Sequence, residues 1–127
     1  MNTTLPAAVT LRDFRPEDAP AFYSLNEAWI STIFTMEDKD REVLLHPREK
    51  ILARGGHIVM AFLGGRPVGC GALLPLDEGG YEVAKMAVDE TVRGCGIGRR
   101  VLQALIAKAR LLGAPRLFLE TNHVLVN

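Results

Sequence analysis

The residues with the clearest chemical potential sit in one stretch, Arg93-Gly94-Cys95-Gly96-Ile97-Gly98-Arg99-Arg100. Alternate glycines let the backbone curl tightly, turn its N–H groups inward and admit a ligand with no Cβ in the way. Helical periodicity begins just beyond, with Val101, Leu102, Leu105, Ile106, Ala109 and Leu112 on one face, so the positive end of a helix over Arg99 to Leu112 points into the curl. The combination is an anion site whose donors are main-chain amides. Arg93, Arg99 and Arg100 lie at or before the first helical turn, where an exposed cation costs roughly 0.3–1 kcal/mol against the macrodipole; a bound polyanion reverses that sign.

Two well-known anion motifs fit this stretch poorly. A dinucleotide fingerprint G-x-G-x-x-G would need Gly or Ala where Arg99 stands, and Asp89 to Arg93 form a polar connector where that motif has a tight turn, although Glu120 lies near the place of its ribose acid. A nucleotide P-loop is excluded because no Gly-Lys-Ser/Thr follows. Metal chemistry finds no support either: Cys70 and Cys95 have no C-x-x-C spacing, and His46, His57 and His123 are scattered. Cys70 reads as a core residue and Cys95 as a loop residue whose backbone matters more than its sulfur.

The elements that must position the loop follow from pattern. Val9 to Phe14 alternates as a strand, and Arg15-Pro16-Glu17-Asp18 stops it with proline and acids at a helix entrance. Ala21, Phe22, Leu25, Ala28, Trp29 and Ile33 form a helical stripe; a shorter helix starts near Glu37-Asp38, and Pro47 opens a further turn running to Ala53. Beyond Gly55-Gly56 the period switches to strand: His57 to Leu63, a Gly64-Gly65 turn, Pro67 to Leu74, then Tyr81 to Val88. Gly113 and Pro115 end the last helix, and Arg116 to Thr121 is a final strand, parallel to its neighbour because a helix crossover separates them. The result is a mixed-sheet α/β (α+β) domain spanning residues 1–127.

Composition narrows the class. With 127 residues, 48% hydrophobic, and 15 basic against 15 acidic residues, the chain suits one soluble domain. A domain of that size buries roughly two-thirds of its unfolded surface without disulfides or metals. Duplex nucleic acid is disfavoured as a partner by the charge balance. No apolar run approaches the roughly 20 residues that span a bilayer, so a membrane is not expected and a cytoplasmic location is.

The loop resembles the GCN5-related N-acetyltransferase (GNAT) family, whose pyrophosphate motif is Arg or Gln, two residues, Gly, any residue, then Gly or Ala; Arg93-Gly94-Cys95-Gly96-Ile97-Gly98 meets it at every fixed position. Met86-Ala87-Val88-Asp89 looks like the family's strand end and acidic turn, Leu117 to Asn122 like its fifth strand, and Leu11 to Ala19 like its first strand and helix start. The resemblance implies a GNAT acyl-CoA N-acyltransferase fold, with strands 1–4 antiparallel and the fifth parallel. It implies acetyl-CoA as co-substrate, an amine of a small molecule or peptide as acceptor, and no metal. Pantetheine would pair with the backbone of Met86, Ala87 and Val88, pyrophosphate would rest on Arg93, Gly94, Cys95, Gly96, Ile97, Gly98 and Arg99, and Asn122 would add a cofactor contact. An amide at Ala87 or Val88 would polarise the thioester carbonyl.

Direct transfer to an amine also needs a proton acceptor, and Glu82 is the candidate, on a strand where ideal alternation gives it one face with Ala84, Met86 and Val88. Glu27 is a weaker alternative, and pairing of Glu82 with Lys85 or Arg116 would give it a purely structural role. Trp29, Phe34 and the segment to Val43 fall where the family binds its acceptor, although packing of the helix pair also accounts for them. The family continues after its fifth strand with a helix bearing a tyrosine and with further strands, whereas this sequence stops at Asn127. The expectation is therefore a C-terminally short member, and the exposed strand at Leu117 to Thr121 calls for cover by a partner or homodimer mate. The competing function is an acyl-CoA-binding or interaction module with weakened catalysis, completed by such a partner.

Overall fold

The computed structural model describes residues 9–31 and 37–119. Five strands, β1 (Val9–Asp13), β2 (His57–Leu63), β3 (Arg66–Pro75), β4 (Tyr81–Val88) and β5 (Leu117–Leu119), form one sheet in sequence order. The first three pairings are antiparallel and β4–β5 is parallel, as the helix crossover requires. Among the described residues four α-helices flank it: α1 (Ala19–Ser31), α2 (Asp38–Leu45), the single turn α3 (Pro47–Lys50) and α4 (Ile97–Leu111). None of the described helices is long and apolar enough to cross a membrane.

Strand alternation divides the core between the sheet's two faces. Ile58 and Met60 of β2 turn toward α1 and α2, where Phe22, Leu25 and Leu44 cover them; Val59 and Ala61 turn toward α4, where Ile97, Val101, Leu105 and Ala109 form the facing stripe. Fully burying each large aliphatic side chain of that stripe contributes about 1.5–3 kcal/mol. The stripe is narrower than the sequence pattern suggests. Leu112 lies beyond the helix and is half exposed, because the chain ends α4 there: Gly113 takes φ +71°, its N–H donates to Arg110 O, and the Ala114 N–H donates to Ala109 O.

Two glycines of β3 set how closely α4 approaches. A Cβ at Gly69 would lie 2.9 Å from Ile97 Cγ2, and one at Gly71 would lie 2.8 Å from Leu105 Cδ1, both closer than packed atoms allow. The first turn of α4 thus rests directly on the middle strand. At the other end of the sheet, Lys108 on α4 pairs with Asp13 on β1 at 2.7 Å.

The entrance to α1 is held by a buried carboxylate. Asp18, 5% exposed, accepts a two-pronged bond from the Arg12 guanidinium (2.7 and 3.0 Å) and a third from the Arg15 N–H (2.8 Å). Burial alone would raise its pKa; the Arg12 and Arg15 hydrogen bonds and charges outweigh that and hold it below the ordinary carboxylate value. The Pro16–Asp18 segment is a 3-10 turn, so the helical entrance that the sequence marks at Pro16 becomes regular α-helix at Ala19.

Strand β4 departs from ideal alternation. Cys70 opposes Ala87 while Ala72 opposes Ala84, so β4 carries an extra residue between those two pairs, and Lys85 adopts φ +55°. Before this bulge Glu82 and Ala84 share the α1–α3 face, opposite Leu74 and Ala72; after it Ala87 takes that face, while Met86 and Val88 pack with the α4 cluster. The expectation that Glu82 shares a face with Met86 and Val88 is corrected by this bulge, since one inserted residue inverts every later side chain.

Candidate active site

The loop between β4 and α4 starts from a capped turn. The Asp89 N–H donates to Val68 O (2.8 Å), and its carboxylate accepts from the Thr91 hydroxyl (2.7 Å), the Thr91 N–H (2.9 Å) and Arg66 Nη1 (3.1 Å). The two Thr91 bonds, with Arg66 adding to them, hold this carboxyl below its ordinary pKa. A 3-10 turn over Glu90–Val92 follows, then Gly94 at φ +87° and Gly96 at φ +82°. A Cβ at either glycine would meet nothing within 4 Å, so both face open space.

Gly96 is the N-cap of α4, and no side chain caps the helix. The amides of Ile97, Gly98 and Arg99 are those that an α-helix leaves without intrahelical acceptors. Two features differ from the sequence expectation. Helix α4 begins at Ile97 rather than Arg99, so Gly98 belongs to its first turn and only Gly94 and Gly96 need the left-handed region. Ile97 contributes an amide to the curl while its side chain, 2% exposed, anchors the loop against Gly69. Cys95, Arg99 and Arg100 are exposed. The Arg93 guanidinium stacks over Trp29 of α1, 4.5 Å from the ring centroid, fixing the loop to the opposite layer.

The second part of the site is an edge. Among the described residues, β5 pairs with β4 at Tyr81, Glu82 and Val83. Beyond that, trans-peptide geometry fixes which groups face outward. The Lys85 carbonyl faces the Cys70 sulfur (3.6 Å), the Ala87 N–H faces that same sulfur, and the Asp89 N–H faces Val68. Each planar peptide directs its other polar group the opposite way, so the N–H and C=O of Met86 and the C=O of Val88 point away from β3. The Ala87 carbonyl lies on the Gly69 side, which turns the Val88 N–H outward as well. Of the three β4 residues singled out from sequence, Met86 and Val88 turn their main-chain polar groups away from β3. Ala87 is turned inward.

The bulge has a polar support that sequence patterning missed. Asn26 on α1 is 1% exposed; its Nδ2 donates to Phe22 O (3.0 Å) and to Cys70 Sγ (3.4 Å), and the thiol in turn donates to Lys85 O. Burial pushes the Cys70 thiol up to about 12, against the Asn26 and Ala87 hydrogen bonds, so it stays a neutral donor. A polar residue at a core position of an apolar helical stripe was the available signal.

Glu82 is half-buried on the α1–α3 face, flanked by Leu74 on β3 and Phe118 on β5. The suggested structural partners do not take it. Lys85 reaches Asp40 of α2 instead (3.8 Å), and Glu82 has no ion pair among the described residues. Glu27 is exposed on α1, where the Tyr23 hydroxyl donates to it at 3.4 Å. His57 packs edge-on against Tyr81, and His46 lies at the α2–α3 junction near Glu42. Phe34, Glu120, Asn122 and His123 lie outside the described residues. Among the described residues no three His, Cys, Asp or Glu side chains gather as metal ligands would.

The fold recurs in solved structures. The solved structure of a GNAT-family acetyltransferase from Staphylococcus aureus superposes with a TM-score of 0.81 at 19% identity, covering 94% of this chain and 76% of that one. One from Brucella melitensis, solved with acetyl-CoA, gives 0.77 at 24% identity, covering 91% and 77%. In sequence, an IAA acetyltransferase from Azospirillum brasilense is 49% identical over 59 residues, a stretch covering 46% of this chain and 39% of that protein's length. The family model for the acetyltransferase (GNAT) family matches residues 14–127, and the chain belongs to that family.

Proposed function

We propose that this chain transfers an acetyl group from acetyl-CoA to a primary amine by direct attack. The observation that carries the reading is the continuity of two main-chain surfaces: the outward amides and carbonyls of Met86 and Val88 lead along β4 into the curl at Gly94, Gly96 and the first turn of α4. An extended pantetheine amide chain can add to such an edge as a further strand. A pyrophosphate suits the positive helix end. The Brucella melitensis relative, solved with acetyl-CoA, supports the choice of co-substrate.

The chemistry then falls to few groups. The Val88 N–H, turned outward at the edge, is the donor for charge developing on the thioester oxygen. A protonated amine cannot attack, so a proton must leave it first. Glu82, about 16–20 Å along the strand from Val88, takes that proton through a chain of waters on the α1–α3 face. No side chain of this chain forms a covalent bond to the acetyl group in this route.

The experiment is titration with acetyl-CoA followed by a CoA-release assay across amines. Binding with amine-dependent CoA release supports transfer. Binding without release from any amine favours an acyl-CoA-binding module, and absence of acetyl-CoA binding contradicts the reading.

A further inference from the structure

We propose that the cavity between α2, α3 and the end of β3 receives the acceptor by an anionic group, so that the acceptor is an amine also carrying a carboxylate. This rests on the acetyl-transfer reading and narrows its substrate. The cavity measures about 420 Å³ and is lined by Val43, Lys50, Arg54, Leu74, Pro75 and Lys85, with Leu76 and Asp77 at its end. That volume falls in the range of roughly 300–1,000 Å³ typical of small-ligand sites.

Its charges are unusual in being incompletely answered. Lys50 and Arg54 stand four residues apart, and neither has an ion pair among the described residues. Compensation of a helix dipole does not account for them, since α3 has only four residues and few aligned peptides. The third cation, Lys85, is answered by Asp40 at 3.8 Å, and Asp77 offsets one more. A single positive charge is left over, which suits a carboxylate rather than a doubly charged phosphate. Val43, Leu74, Pro75 and Leu76 supply apolar wall for the body of such a molecule.

The cavity also lies where an acceptor is needed. Leu74 is the cross-strand partner of Glu82 on the same face, and Lys85 is the bulge residue that precedes Met86. A carboxylate held by Lys50 and Arg54 leaves the rest of the molecule to run along this face toward Glu82. Arginine and lysine would hold it by charge-assisted bonds that an uncharged analogue cannot make.

The test compares 3-phenylpropionate with phenethylamine in ligand-observed NMR titrations, using the wild type, a Lys50→Met/Arg54→Gln double variant and the charge-conserving Lys50→Arg/Arg54→Lys pair. The expected result is binding of 3-phenylpropionate at least about 10-fold tighter than phenethylamine, a loss of about 10- to 100-fold in the first variant and retention in the second. Absence of 3-phenylpropionate binding, equal binding of the two probes, or undiminished binding in the neutral variant would overturn the inference. Acetyl-CoA titration of the same samples separates the failures. Normal acetyl-CoA binding without the carboxylate contrast removes only this acceptor assignment, whereas loss of acetyl-CoA binding in the wild type removes the transfer reading and the acceptor role of the cavity with it.

Discussion

The two faces of the sheet offer surfaces of opposite kinds. On the α4 side the surface is main chain: a curl at Gly94 and Gly96, the first turn of α4 and the outward peptides of Met86 and Val88. On the α1–α3 side it is side chain: Glu82, Lys85, Lys50 and Arg54, drawn from three segments. In the proposed reaction the backbone surface takes the shared co-substrate and the side-chain surface selects the acceptor. The bulge at Lys85 joins them, because it turns the side chains of Met86 and Val88 to one face while leaving Glu82 on the other.

Substitutions that separate the two faces have effects of graded size. Glu82→Gln acts on the side-chain surface alone, and kcat should fall by about 100-fold or more with the acetyl-CoA dissociation constant unchanged. Steady-state kinetics beside calorimetry shows whether the loss is confined to turnover. An intact kcat would remove Glu82 as the base.

Gly96→Asn probes the other surface. Asparagine tolerates the left-handed conformation that Gly96 adopts, and its Cβ enters space open in the protein, so folding is kept while an anion is crowded. Acetyl-CoA affinity should drop about 10-fold with kcat at saturation little changed, the loss of one charge-assisted contact. Unchanged affinity would show that the curl is only a turn.

A third substitution tests the frame that carries both faces. Asp18→Asn removes a buried carboxylate from Arg12 and should lower stability by about 2–3 kcal/mol in denaturant unfolding near neutral pH. The sign with pH follows from the depressed pKa. The native pair's contribution is present above the unfolded carboxylate's pKa near 4 and is lost as pH falls through the lower folded value, so the two proteins converge in acid.

The smallest effect is chemical. Cys95 is exposed and Cys70 is buried with its thiol pushed up to about 12, so a thiol reagent should modify one cysteine in the native protein and the second only on unfolding. Acetyl-CoA should slow the first modification a few-fold if it seats on the loop beside Cys95. Equal rates with and without it would argue against that seat.

What could be read from sequence follows the same division. β2 and β4 match their expected bounds because positive-φ glycines punctuate them, Gly64 and Gly65 in the hairpin after β2 and Gly79 and Gly80 before β4. The conformation of the loop was legible because Gly94 and Gly96 both need the left-handed region, and glycine spacing is the direct trace of such backbone needs. The Lys85 bulge left no such trace. Lysine has no special liking for φ +55°, and what supports it is the Asn26–Cys70 contact, formed between residues 44 apart in sequence. The cavity was hidden for the same reason, since Val43, Lys50, Leu74 and Lys85 meet only when α2 and α3 pack on the sheet. Gly69 and Gly71 were visible as glycines within a strand, but what they admit, Ile97 and Leu105, appears only in the packed structure.

The most direct test of acetyl-CoA seating along β4 and the loop is an amide-resolved NMR titration with acetyl-CoA. The largest shifts are expected at the Met86 and Val88 amides and at Gly94 through Arg99, with the inward Ala87 amide less affected than its two neighbours. Shifts confined to other segments, or none at Val88 and Gly96, would contradict it.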